Sequence, residues 1–259
     1  MDLGIAGKRA LVCAASRGLG FGCAAALAEA GVELVINARR PEVLEDAASE
    51  LRDRYGATVT AIAADITDAD GRAAVLEAAG APDILITNAG GPPPGVWQDW
   101  ARADYLNALE ANLLTPIALI TTLLPGMMDR GWGRIVNITS GSVKAPIPAL
   151  GLSNMARTGL TGFVAGTARQ VAVRGVTINN LLPGAHDTDR IAQLDRAGAE
   201  RAGMPLQDWQ RQRAAAIPAG RYGTAAEFGA TCAFLCSQHA GFIVGQNILL
   251  DGGAIVATI

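Results

Sequence analysis

The stretch Cys13-Ala14-Ala15-Ser16-Arg17-Gly18-Leu19-Gly20 decides how this chain folds. It closes an apolar run at 9–13, which is strand-length and reads as a buried strand. It opens a helical pattern over 19–30. Gly18 and Gly20, set where a strand turns into a helix, let the backbone come close to a diphosphate, and the amides at a helix start favour its charge. An ordinary tight turn would use the same glycines; the strand–turn–helix setting favours the binding turn.

Outward from that turn, short apolar runs at 33–37, 58–63, 83–87, 134–139, 176–181 and 247–250 alternate with helical patterns at 41–55, 68–79, 100–128, 152–173 and 225–237. Strands buried on both faces need continuous apolar runs of this kind. The alternation predicts right-handed crossovers and a doubly wound, parallel α/β sheet of about seven strands. A chain of 259 residues, 50% hydrophobic, suffices for a single domain over 1–259. The segment 184–219 breaks the pattern: it is polar and charged, and reads as a helical insertion over the carboxyl ends of the strands, a candidate substrate lid.

Composition narrows the function. The net charge is −3 with no long run of one sign, which argues against nucleic-acid binding and general membrane binding. No apolar run reads as long enough to span a bilayer, and the start lacks a signal-peptide pattern. Cys13, Cys23, Cys232 and Cys236 have neither metal-site nor disulfide-framework spacing. These features together predict a reduced, cytoplasmic protein.

The second strand ends at Asn37-Ala38-Arg39-Arg40. An acidic residue there would grip a ribose 2′-hydroxyl, whereas arginine accommodates a 2′-phosphate. Arg39, with Arg17 in reach of the same phosphate, therefore favours NADP(H) over NAD(H). A solvated loop is the plainer role for Arg39 and Arg40.

Further along come, in order, Asp65-Ile66, Asn88-Ala89-Gly90, Asn112, Ser140, Pro183-Gly184 and Asp251-Gly252-Gly253. With the Gly18/Gly20 turn, this series resembles the short-chain dehydrogenase/reductase family, especially its β-ketoacyl-ACP-reductase-like members, over nearly the whole chain. The resemblance implies a Rossmann-type sheet and an oxidoreductase acting on a carbonyl or alcohol of a small-molecule substrate. It also implies a homodimer or homotetramer. Ala14, Ser16, Arg17, Gly18, Leu19 and Gly20 would then hold the cofactor's diphosphate, and Asp65 and Ile66 its adenine. Asn88, Ala89 and Gly90 would shape the groove, and Pro183, Gly184 and Thr188 would line the nicotinamide side. Asn112 would hold a water in a proton relay, and Ser140 would hydrogen-bond the substrate oxygen.

The chain departs from the family pattern in its catalytic residues. The family's Thr-Gly at the first turn reads Cys13-Ala14, and a methyl at Ala14 narrows that turn. Aligned on 158–163, the family's Tyr-x-x-x-Lys pair becomes Ser153 and Arg157. Residues four apart share a helix face, so both still point into one site. An aliphatic hydroxyl is a far weaker acid than a phenol, and arginine keeps its charge and relays protons poorly. The expected catalytic set is Ser140, Ser153, Arg157, Asn112 and Lys144, with Lys144 buried beside Arg157 as a proton donor. His186 is the other candidate to exchange protons; a solvated loop and the lid surface are the plainer places for these two. Two other function classes stay open: a lyase or isomerase in which Arg157 and Lys144 stabilise an enolate, and a catalytically silent dinucleotide-binding protein. The apolar tail at 254–259 is expected to find a partner.

Overall fold

A computed structural model describes residues 1–256. The strands are β1 Arg9–Val12, β2 Glu33–Ala38, β3 Val59–Ala63, β4 Ile84–Thr87, β5 Gly133–Ile138, β6 Val176–Pro183 and β7 Asn247–Leu250. Between and around them run α1 Gly18–Glu29, α2 Pro41–Tyr55, α3 Ala69–Ala79, α4 Arg102–Leu109, α5 Thr115–Asp129, α6 Gly151–Val171, α7 Asp189–Ala202, α8 Leu206–Ala215 and α9 Ala225–Cys236. The strands form one parallel sheet in the order β3-β2-β1-β4-β5-β6-β7. This is the expected doubly wound, Rossmann-type, single-domain α/β fold.

Alternation along each strand divides the core in two. Ala10 and Val12 of β1 face one side, where α1, α2 and α9 contribute Leu27, Leu44, Leu51 and Phe228. Leu11 and Cys13 face the other, with Val75 of α3, Leu119 and Leu123 of α5, and Leu160 and Val164 of α6. Helices α1 and α9 cross at backbone contact. A Cβ on Gly22 would lie 2.2 Å from the Ala225 carbonyl oxygen, and one on Gly229 would lie 2.1 Å from that of Gly22.

Element boundaries move by one or two residues from the sequence expectation. The largest change is in the helix expected at 100–128. It runs from Arg102 to Asp129 and contains a π-helical turn, Glu110–Leu114, between α4 and α5. This helix also corrects the expectation about spanning length, since by length and composition alone it is apolar enough to cross a membrane. Asn, Thr and Pro break its apolar run, which hides that length in the sequence. Its face Leu119, Ile120, Leu123, Leu124 and Met127 is buried in the core, the arrangement of a core helix.

The strands are less apolar than they read. Thr87 Oγ1 donates to Asn137 Oδ1 at 2.6 Å, Asn137 Nδ2 to Asn180 Oδ1 at 3.1 Å, and Asn180 Nδ2 to Asn247 Oδ1 at 2.8 Å. These four residues are register partners on β4, β5, β6 and β7.

The insertion expected over 184–219 consists of α7 and α8. Its base is stitched shut where Asp187 N–H donates to Gly223 O and Gly223 N–H to Ala185 O. Fully buried Asp195 anchors it from within, pairing with Arg213 and accepting from the Tyr222 hydroxyl at 3.0 Å.

Candidate active site

Strand order reverses between β1 and β4, and the crevice at that switch point is where ligands bind in open α/β sheets. A cleft of about 730 Å³ lies there, bounded by the β1–α1 turn, the loop after β4, the ends of β5 and β6, and the segment that carries α7 and α8.

The β1–α1 turn is built for close approach. Gly18 has a φ of +58° and Ala14 a φ of +49°, the left-handed region that favours glycine. Gly20 needs its missing side chain, because a Cβ would sit 2.3 Å from the Ala14 carbonyl oxygen. The start of α1 has no side-chain cap and no acid in its first turn, so its amides are unspent. Thr188, which caps α7, packs on this turn, its methyl carbon 3.4 Å from where a Gly18 Cβ would be. Arg17 pairs with Asp189 of the lid at 3.2 Å. Its guanidinium is therefore engaged at the start of α7, whereas Arg39 lies exposed just after β2. Near Arg39, Asp65 accepts from the Thr67 hydroxyl and amide; these bonds, and to a lesser extent Arg39, hold its carboxyl below the usual carboxylate range.

Of the residues expected in the site, Ala14, Arg17, Gly18 and Leu19 line the cleft on one side. Asn88, Ala89 and Gly90 line it beside them, with Asn88 Nδ2 donating to Ala14 O at 3.4 Å. Ser140, Ser153 and Arg157 form its floor, and Pro183, Gly184 and Thr188 its far wall. Ser16, Gly20, Arg39, Asp65, Ile66 and Asn112 lie outside that lining. Asn112 is buried in the π turn, where Nδ2 donates to Ala108 O and Oδ1 has no partner among the described residues.

Arg157 is almost fully buried and donates to Ile138 O at 2.7 Å and Ala89 O at 3.3 Å. It joins the ends of β4 and β5 to α6. Burial first, and nearby Arg190 second, push its pKa down to about 10, which leaves it charged at neutral pH. Ser140 accepts from Ser142 N–H at 3.1 Å, capping a short turn, Gly141–Val143.

That turn corrects the placing of Lys144. It directs Ser142 and Ala145 inward, whereas Lys144 is exposed and outside the cleft lining, so the expected burial beside Arg157 is not found. His186 is not on the lid surface either. It is buried, edge-on to Phe228 at 5.2 Å, and hemmed by Gly223. Burial holds its pKa below the usual histidine value. Of the apolar tail, Ala254 and Ile255 line the cleft, with Ile255 N–H bound to Asp251. Residues 257–259 of that tail lie outside the described residues.

The sequence reading passed over Arg190, which lines the cleft and donates to Pro92 O at 2.7 Å. Its position directly after Thr188-Asp189 was the available signal.

A dinucleotide fits this arrangement: unspent amides and an approachable backbone at α1, and an arginine at the end of β2. The family model described as enoyl-(acyl carrier protein) reductase matches residues 13–254. The 3-oxoacyl-(acyl-carrier-protein) reductase of Vibrio cholerae is 34% identical, over 97% of this chain and 98% of its own. The gluconate 5-dehydrogenase of Gluconobacter oxydans is 32% identical, over 98% and 96%. Among solved structures, the L-sorbose reductase of Gluconobacter frateurii, complexed with NADPH and L-sorbose, superposes with a TM-score of 0.93 at 27% identity, over 99% of this chain and 100% of that one.

Proposed function

The chain belongs to the short-chain dehydrogenase/reductase family, and on that premise we propose that it is an NADP(H)-dependent oxidoreductase acting on a carbonyl or alcohol of a small molecule through a variant site. One observation carries this reading: the uncapped, acid-free start of α1 opens onto a cleft whose floor is Ser140, Ser153 and Arg157.

The cofactor, when bound, supplies or accepts the hydride. The amides after Gly18 hold its diphosphate, Arg39 meets its 2′-phosphate, and Asp65 and Ile66 border its adenine. NADPH-complexed structural neighbours support the phosphorylated cofactor. Asn88, Ala89, Gly90, Pro183, Gly184 and Thr188 orient the nicotinamide end. Ser140 and Ser153 hydrogen-bond the reacting oxygen. Arg157, held by two carbonyls, has N–H groups left to face the charge that develops there. Ser153 releases a proton poorly by itself; it passes one on only by receiving another from water reaching the cleft. Asn112, whose buried Oδ1 has no partner among the described residues, would hold a water of that proton relay.

Lys144 has no place in this mechanism. The same reading includes a homodimer or homotetramer, supported by exposed Leu106, Leu114 and Phe242. It also includes a reducing, cytoplasmic setting, supported by four free, buried cysteines.

The test is to mix the protein with NADPH and a panel of ketones and aldehydes. Loss of nicotinamide absorbance with at least one of them is expected. Conversion of substrate without that loss would point to the lyase or isomerase class. Tight NADPH binding with no conversion across the panel would mean a silent binding protein.

A further inference from the structure

Two arginines of the cleft carry charges that no carboxylate among the described residues neutralises. Arg157 ends on the carbonyls of Ile138 and Ala89, and Arg190 on that of Pro92. Both therefore reach the same loop after β4, and both reach only neutral acceptors. Among the described residues, neither pairs with a carboxylate. The acids that line the cleft are committed elsewhere: Asp189 to Arg17, and Asp251 to the amides of Gly253 and Ile255. Arg213, also in the lining, is matched by Asp195.

Gathering two guanidiniums in a half-buried cleft is unfavourable until an anion arrives. Arg190 follows Thr188, which packs on Gly18, so the cofactor's diphosphate is the rival partner for its charge, and NADP⁺ affinity in an Arg190 variant separates the two. Between them, Arg157 and Arg190 end on the carbonyls of Ala89, Pro92 and Ile138, beside the floor of the cleft, where the reacting part of a substrate would lie. We propose that the substrate carries a carboxylate, bound between Arg157 and Arg190. This rests on the reading of the cleft as a substrate site beside the nicotinamide. Planar guanidiniums suit a carboxylate better than a neutral carbonyl, and a low-dielectric cleft strengthens the contact.

The experiment reads binding rather than turnover. Protein saturated with NADP⁺ is titrated in a calorimeter with 3-phenylpropanoate and benzoate, and with the amide of each. The acids are expected to bind at least about tenfold more tightly than their amides, a difference of about 1.4 kcal/mol. In Arg190→Gln that preference should fall below about threefold, and in Arg190→Lys it should partly return, with NADP⁺ affinity within about twofold of the parent throughout. Equal affinity for acid and amide, or no binding of either acid, would overturn the proposal. Loss of NADP⁺ affinity in Arg190→Gln would also overturn it, by assigning the charge to the cofactor's phosphates. The oxidoreductase reading fails on a different signal: if the acids bind as described but no NADPH is oxidised, that reading falls and the anion site stands.

Discussion

Gly20 and Ala14 meet across the first turn so closely that a Cβ on Gly20 would lie 2.3 Å from the Ala14 carbonyl oxygen, while Ala14 itself bends into left-handed backbone at φ +49°. One of the two residues suits its position and the other does not. Left-handed backbone costs a non-glycine residue about 1–2 kcal/mol, and glycine costs about 0.5–1 kcal/mol in unfolded-chain entropy. Ala14→Gly should therefore stabilise the protein by about 0.5–1 kcal/mol in denaturant unfolding and tighten NADPH binding. Gly20→Ala should destabilise it by about 1–3 kcal/mol, the usual cost of overpacking, and abolish that binding. A Gly20→Ala protein with normal NADPH affinity would remove the turn from the cofactor site.

Arg39 lies exposed at the end of β2, and no acidic residue follows that strand directly. Arg39→Ala should weaken NADPH binding by about tenfold and NADH binding by less than about twofold, since only the 2′-phosphate distinguishes them. Raising the salt should shrink the difference, because exposed charges are screened. Equal losses for both nucleotides would place Arg39 away from the phosphate.

Ser153 and Arg157 lie four residues apart on α6 and should fail or succeed together. Ser153→Tyr alone supplies a phenol with no lysine to relay its proton, and Arg157→Lys alone supplies a lysine with no phenol. Each single variant is expected to give little ketone reduction, and the double variant more than about tenfold above either, a non-additive result typical of groups that act as a unit. A large gain from Ser153→Tyr by itself would show that arginine can serve as the relay's partner.

Asp195 holds the lid from inside, fully buried between Arg213 and the Tyr222 hydroxyl. Burial first, and the bond to Asp195 second, push the Tyr222 phenol up to about 12, which keeps it from acting as an acid near neutrality. Asp195→Ala should cost about 3 kcal/mol, because it strands a partly buried guanidinium. It should also speed proteolysis within α7 and α8 and raise the substrate KM, with NADPH affinity nearly unchanged. Tyr222→Phe, losing one hydrogen bond to a charged group, should cost about 1.5–3 kcal/mol.

His186 makes stability depend on pH. Its pKa in the folded protein is lowered from 6.5, chiefly by burial, so the unfolded chain takes up a proton first as the pH falls. Stability should therefore decline from about pH 6.5 downward and be at its full value above that. His186→Asn should flatten this decline in denaturation midpoints measured between about pH 7.5 and 5.5. An unchanged slope would locate the pH dependence in other groups.

The sheet was legible because seven apolar runs alternate with helical patterns, and the tight β1–α1 turn because its glycines fall where a strand becomes a helix. What escaped the sequence depends on contacts that are distant along the chain. Arg190 reaches Pro92 across 98 positions, and no local pattern tells that a lid helix folds back onto that loop. Lys144 was misplaced because a three-residue turn, Gly141–Val143, sets which of its neighbours face inward. The asparagines of β5 and β6 were passed over inside the apolar runs, since their meaning appears only when the strands are side by side.

That row, Thr87 to Asn137 to Asn180 to Asn247, works as a ratchet on assembly. Every link donates in the same direction, from β4 towards β7. The smallest slip that keeps a strand's faces in place is two residues, and it would leave buried amides without partners at about 1–3 kcal/mol each. Half the sheet is thereby bound to a single alignment, so the carbonyl-bearing ends that grip Arg157 arrive level with one another before any ligand is present.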